Sequence, residues 1–565
     1  MAEWTGILEP SIFVEDTLRC SATIAAALTP SPVSPVFSLE SVIPIDQGDW
    51  DSNLPIQENE RILSGTKVDS FLDDYYYRVH VTPLTIAFGA ILSEVVDTFI
   101  VWNAWFDEVD MLSIVETGGD EFALAGQTAP YTFKPLEYET YTVTVPKEGI
   151  PNLASSIEFD FDTGEDRTVL ITGIRMIVFA FCPQVEMKEM LEGLTDIIMP
   201  NDGIGSEQRI CVRQIPRQSF TLSVPLKTEK EQARFEAAMF GWQKRYFGLP
   251  IWTERVIHTA AINATDMTIT IDTTNADFRD DSYAVIWKSL TEYEAVKITT
   301  VAANLLTLES PVVASYTGTK FILPCRIAQV PTAARKSNPV AAVAIADISF
   351  AIKDNILLTG YTPETTYLGL PVLLVGSKQF GGSPKESQID SDSFTQDYES
   401  GDFDYFSDSE FNLISQGWGF VNVTRAQCWN FRKFLHSLYG RQGTFWAPTY
   451  KRDLIQAETI GAADTNFQIE NIKLAENMTF NTLRNHLAFI FTSGTVLYRA
   501  ITGIVESDED IEIVSIDSAL GVEVDIGDCV ISFLDLCRLA SDSVELDWFF
   551  FDKNKCETTF LTVKE

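Results

Sequence analysis

Four histidines, eighty carboxylates and eight cysteines are the chemically versatile side chains of this 565-residue sequence. Their spacing decides what they can do. His80, His258, His436 and His486 are scattered, and none belongs to an H-E-x-x-H run or another local metal pattern. The cysteines form no C-x-x-C pair and no zinc-type spacing. A G-x-S-x-G nucleophile elbow and a G-x-G-x-x-G loop are both missing. Gly376-Ser377-Lys378 does not fit the G-x-x-x-x-G-K-[ST] spacing of a phosphate loop. Carboxylate pairs of the glycosidase kind can be drawn from so many acids that the pattern has no specificity. No residue is therefore assigned a catalytic, cofactor-binding or metal role, and nothing gives positive reason to expect an enzyme.

One acidic stretch stands apart. Asp390 to Glu410 carries eight carboxylates, with Phe394, Tyr398, Phe403, Tyr405 and Phe406 interleaved. It reads as a solvated loop or linker. It also reads as an assembly loop that orders against a neighbouring subunit or lines a channel. Calcium is a third reading, because Asp390, Asp392, Asp397 and Glu399 are close together; the EF-hand spacing and its Gly are missing.

The elements that would position any of these groups are written twice. Thr228-Glu229-Lys230-Glu231 and Thr424-Arg425-Ala426-Gln427 are both capping boxes. Counted from each Thr, apolar residues at +7, +11 and +14 share one helix face: Phe235, Met239 and Trp242, then Phe431, Leu435 and Leu438. An Arg follows at +17 (Arg245, Arg441), then a Gly stop (Gly248, Gly443) and an aromatic-proline strand. Short alternating strands come next in both copies, closing on Cys-Arg-[Ile/Leu]-Ala at Cys325 and Cys537. A last alternating strand runs from Val343 to Phe350 in one copy and from Val544 to Phe551 in the other. The order predicts two homologous β-rich domains, each a strand, a helix, a strand and an inserted β-module. Cys325 and Cys537 read as equivalent, buried and reduced. His436 reads as a structural histidine beside the apolar stripe.

The expected class is mainly β and multidomain. Residues 1–88 read as an N-terminal arm or irregular cap, 89–184 as an immunoglobulin-like β-sandwich with Trp102 and Trp105 in its core. The duplicated domains occupy 185–352 and 411–565, with 353–410 as a linker. A length of 565 residues fits about three to five domains. A net charge of −39 argues against holding nucleic acid by phosphate neutralisation. It fits either a surface past which DNA only slides, or solubility in a salty habitat. The sequence opens without a signal-peptide core, and its most apolar run, Leu84 to Phe106, is interrupted by Glu94 and Asp97. Cytoplasmic synthesis and no membrane span are expected.

Several blocks together carry a resemblance: Val101-Trp102-Asn103-Ala104-Trp105, the run Tyr141 to Gly173, and Ser206-Glu207-Gln208-Arg209. Pro216-Arg217-Gln218-Ser219-Phe220, Gly241-Trp242-Gln243 and Leu249-Pro250-Ile251-Trp252 belong with them. The chain resembles, over roughly residues 90 to 565, the distal-tail or baseplate virion proteins of long, non-contractile-tailed bacteriophages. That likeness implies domains related to the tail-tube fold and a homo-oligomeric ring, trimer or hexamer, joining tail tube to tip around the DNA channel. It implies tail-tube, tape-measure and tip or hub proteins as partners, no cofactor, and a place in the virion tail tip after assembly in the host cytoplasm. A carbohydrate-binding adhesin or receptor-binding protein is the alternative, because aromatic-rich β-sandwiches suit sugar stacking.

Overall fold

Runs in which every second residue is apolar become strands in the computed structural model. It describes residues 77–564 except 199–206, 341–342, 375–385, 391–392, 400, 408–411 and 479–483. Most of the expected arm, and Gly376-Ser377-Lys378, lie outside the described residues. The protein is mainly β, and it divides into two units, Met1–Ile177 and Val178–Glu565.

In the first unit, two sheets share one core. Val79–Thr82, Val95–Asn103, Tyr138–Val145 and Ala123–Ala125 form one sheet; Thr85–Ile91, Asp166–Arg175, Asn152–Phe161, Val109–Thr117 and Tyr131–Phe133 form the other. Phe99, Tyr141 and Val143 from the first sheet meet Met111, Phe159 and Ile171 from the second. The strands begin at Val79, ahead of the expected boundary at 89, because Val79 and Val81 fill this core. Trp105 packs against the core as expected. Trp102 does not: it is half-buried, stacked on His80 at 5.3 Å.

In the second unit, the duplicated paragraph becomes two copies of one arrangement. Copy 1 contains β1 (Met187–Glu192), β2 (Arg217–Leu226), α1 (Glu229–Trp242), β3 (Phe247–Pro250), β4 (Lys320–Gln329), β5 (Arg335–Val340) and β6 (Val343–Ile352). Copy 2 repeats the order with β7 (Ser387–Asp390), β8 (Leu413–Asn422), α2 (Arg425–Ser437), β9 (Phe445–Pro448), β10 (Cys529–Leu539), β11 (Ser543–Phe550) and β12 (Lys553–Thr562). The modules inserted between β3 and β4 and between β9 and β10 each close round an apolar core.

Both helices start on the expected Thr cap, with the Glu or Gln side chain reaching the amide one residue before it. Thr228 Oγ1 accepts from Glu231 N at 3.2 Å while Glu231 accepts from Lys227 N at 2.7 Å. Thr424 and Gln427 do the same, at 3.2 and 3.1 Å. The stripes face the sheets. Phe235 packs edge-on to Phe181 at 5.6 Å; Phe431 meets Phe420 at 5.2 Å. Met239, Leu435 and Leu438 are buried, whereas Trp242 is half-buried and donates to Tyr246 O.

Strand pairing corrects two sequence alignments. β2·β6 pairs Phe220 with Phe350, and β8·β12 pairs Gln416 with Phe560, so β6 corresponds to β12. Val544 therefore lies in the counterpart of β5, not of β6. Phe247 faces Ala328 and Phe445 faces Cys537, so Ala328, not Cys325, is the counterpart of Cys537. Both cysteines are nonetheless buried, and burial pushes both thiols up.

Two boundaries also move. Copy 1 includes Phe179 and Phe181, which pack on Phe350 and Phe235. Copy 2 begins before 411, since β7 pairs with β8. Within the supposed linker, Ser393–Asp397 and Phe403–Ser407 pair as a hairpin rather than a loop.

Replacing Phe235 or Phe431 with Ala should cost about 3–5 kcal/mol, the range for a buried Phe. Chemical denaturation of each variant checks this; an unchanged midpoint would show that the stripe is not core.

Candidate functional site

The feature that organises the second unit is a seam between the copies. β1 has β2 on one side and β11, from the other copy, on the other. The strands run in the order β5-β6-β2-β1-β11-β12-β8-β7, with every neighbouring pair antiparallel. Along the seam Met187 faces Trp548, Glu189 faces Leu546 and Leu191 faces Val544. Apolar alternation on both strands places Met187, Leu191, Val544, Leu546 and Trp548 in the interior.

A fully buried Glu sits among them. Glu189 Oε1 accepts from Gln218 Nε2 at 2.7 Å and Oε2 from Trp548 Nε1 at 2.9 Å, one donor from each neighbouring strand. The charge is met from α2: Arg432 Nε lies 3.0 Å from Glu189 Oε1, an ionic contact rather than an aligned hydrogen bond. Arg432 Nη1 also donates to Glu254 Oε1 at 2.5 Å, and Glu254 accepts from Asp277 N on its other oxygen. Asp277 in turn binds Arg279 and the buried Arg326. One guanidinium from copy 2 thus plugs into a carboxylate pair from copy 1.

Electrostatics follow from that enclosure. Burial disfavours the Arg432 cation, but Glu189 and Glu254 outweigh it and hold it charged above the usual range. Burial pushes the Glu189 carboxyl up, opposed by Arg432 and Gln218. His436, one turn along α2, is lowered to about 3 by burial and then by the Arg432 cation. Its Nδ1 accepts from Leu358 N at 3.2 Å, so the neutral imidazole is the form that fits. The structural role expected of His436 matches this setting.

The rim of the seam is polar. Lys188 lies 2.6 Å from Glu545 in solvent. The hairpin Thr195–Ile198 with Gln208–Cys211 reaches across from copy 1 to the end of α2. Thr195 O accepts from Arg441 Nη2 at 2.7 Å, Asp542 accepts from Thr195 N and Arg441 N, and Glu207 grips Arg538 at 2.6 and 2.8 Å.

None of these seam residues was given this role from sequence; Arg441 was read only as a landmark of the repeat, and Glu207 and Gln218 only as members of blocks that carry the resemblance. A charge at +8 on each capped helix, Glu236 and Arg432, was the available signal. The remaining histidines occupy separate settings. His486 is buried beside Tyr367 and Trp446, and burial lowers His258. In the acidic hairpin, Asp397 accepts from the Glu399 amide; among the described residues no group of three or more His, Cys, Asp or Glu is placed to hold a metal ion. No helix among them is long and apolar enough to cross a membrane.

No family model matches the chain, and no curated protein sequence does. Among solved structures, the secreted serine protease VesC from Vibrio cholerae aligns over 47% of this chain and 49% of its own, at 8% identity and a TM-score of 0.15. The overlap spans about half of that protein and is too slight to assign a fold or an activity.

Arg432→Met leaves two buried carboxylates uncompensated and should destabilise the second unit by about 3–5 kcal/mol. Thermal unfolding checks this, and a loss under about 1 kcal/mol would show the ion pairs to be incidental. His436 sets a pH dependence. Its folded pKa is depressed, so its contribution is complete above about pH 6.5 and is lost as pH falls toward about 3, by at most about 1.4 kcal/mol per pH unit. His436→Asn keeps an acceptor for Leu358 N and should flatten the acid limb of stability against pH; an unaltered slope would contradict the assignment.

Proposed function

We propose that this chain is a non-catalytic structural component of a bacteriophage tail tip or baseplate. In this reading it forms a homo-oligomeric ring that joins tail tube to tip and surrounds the DNA channel. The first unit is taken as immunoglobulin-like and the two copies as related to the tail-tube fold. What supports the reading is the seam: two copies of one domain are joined head to tail, β1 of the first to β11 of the second. The join uses unlike edges, so among the described residues it leaves unlike edges at the two ends, β5 on copy 1 and β7 on copy 2. A heterologous contact of this kind propagates, and it closes into a ring when the rotation per step allows. Unpaired edges left in solution are a liability that closure removes. The net charge of −39 suits a channel that passes DNA without holding it.

One observation favours an adhesin as the second reading. Phe403 and Tyr405 stand exposed on the acidic hairpin, edge to face at 5.4 Å, a geometry suited to stacking on sugar rings. Binding on a glycan array, lost on changing both to Ala, would favour that reading.

Light scattering on the purified full chain, with negative-stain images of the same peak, tests the ring. A trimer or hexamer with a central hole is expected. A monomer at every concentration would count against it.

A further inference from the structure

We infer that β7 of one chain pairs with β5 of the next, in the register of the internal seam and with its charges inverted. This rests on the ring reading above and specifies its contact. The register follows from counterparts. Glu189 faces Phe220 and Ser387 faces Gln416, at matched positions of β2 and β8, so Ser387 stands where Glu189 stands. Lys336 faces Ala346 and Leu546 faces Cys556, at matched positions of β6 and β12, so Lys336 stands where Leu546 stands. Transposing the seam sets Ser387 opposite Lys336 and Ile389 opposite Ala334 of the next chain.

Two independent features of the open ends agree with that register. The first is charge. In the seam, Lys188 of copy 1 pairs with Glu545 of copy 2; their counterparts are Glu386 and Arg335. Also in the seam, Glu254 of copy 1 pairs with Arg432 of copy 2. The counterpart of Arg432, at the same +8 position, is Glu236. That of Glu254 is Arg452, fixed by the flanking matches Ile251 N to Pro324 O with Thr449 N to Phe533 O, and Val256 with Leu454. Both sets of counterpart positions carry the opposite signs; Glu386, Arg335 and Arg452 are all exposed, and Glu236, also exposed, meets Lys336 of its own chain.

The inversion also rejects wrong joins. Were β1 to meet β5 of another chain, Lys188 would face Arg335 and Glu254 would face Glu236. Were β7 to meet β11, Glu386 would face Glu545 and Arg452 would face Arg432. Each wrong join brings two like-charge pairs together, against one opposite-charge pair, Glu189 with Lys336, in the first, so the charges favour the alternating order copy 1, copy 2, copy 1.

The second feature is apolar. Leu191 and His436 are each 5% exposed at the internal seam, whereas their counterparts Ile389 and Phe240 are 67% and 98% exposed. A large side chain left open at one end, where its counterpart is covered at the seam, marks the surface that a second copy covers. Ser387 replaces the buried Glu189, so the contact between chains depends more on its rim pairs and weakens with salt.

Sedimentation velocity on the full chain at low salt, over a concentration series, tests the pairing. Glu386→Lys and Arg335→Glu should each raise the assembly midpoint roughly tenfold, and the double exchange should recover most of it. Glu236→Arg with Arg452→Glu is a second exchange at separate positions, and unchanged melting temperatures show that the variants fold. If the wild type assembles but single reversals have no effect, or neither double exchange recovers assembly, the edge assignment falls and the ring reading stands. If the wild type remains a monomer throughout, both fall.

Discussion

Glu189 lies on a strand that belongs to both copies at once, and its carboxylate has no access to water. A charge in that position is tolerated only when it is paired and its lone pairs are filled. The partners come from three directions: hydrogen bonds from Gln218 on β2 and Trp548 on β11, and the ionic contact of Arg432 on α2. Two of the three belong to the other copy. The ionised carboxylate therefore has its full set of partners only when the two domains are docked in this register, and the docking is what buries Arg432. A one-residue slip of β11 along β1 would turn Trp548, Leu546 and Val544 to the opposite face and remove a donor from Glu189.

From that constraint follows the polarity of the second unit. Because copy 1 offers β1 and copy 2 offers β11, the remaining edges cannot be alike. A two-fold dimer would need each edge to recognise itself. Here each end instead carries the counterpart of the other half of a seam already formed, with the charges exchanged. On the proposed pairing, the exchange would let one sequence hold an internal seam and an external one without confusing them. The deeply buried pairing of Glu189 and Arg432 makes the internal seam permanent; exposed Glu386 and Arg335 suit a contact formed later, between finished chains.

Much of this was legible in the residues. The capping boxes, the stripes they start and the strand-helix-strand order were readable because each depends on neighbours within a few turns. Register was not. β11 lies inside the sheet and alternates apolar residues at Val544, Leu546 and Trp548, whereas β5 is an edge strand among the described residues and reads Arg335-Lys336-Ser337-Asn338. Matching by hydrophobic pattern therefore slid β11 onto the wrong strand of copy 1. The repeated Cys-Arg-x-Ala invited a similar slip, since Cys325 and Ala328 are both small and buried. Glu189 and Arg432 were illegible for another reason: nothing local distinguishes a charge covered by a distant domain from one in water.

Hydrogen exchange on the assembled protein, read by peptide, tests the shared-edge account directly. The account predicts that amides of 335–338 and 387–389 become protected on assembly to the degree expected of the paired strands β1 and β11. Rapid exchange of both stretches in an assembled ring, with β1 and β11 protected, would contradict it and place the contact between chains elsewhere.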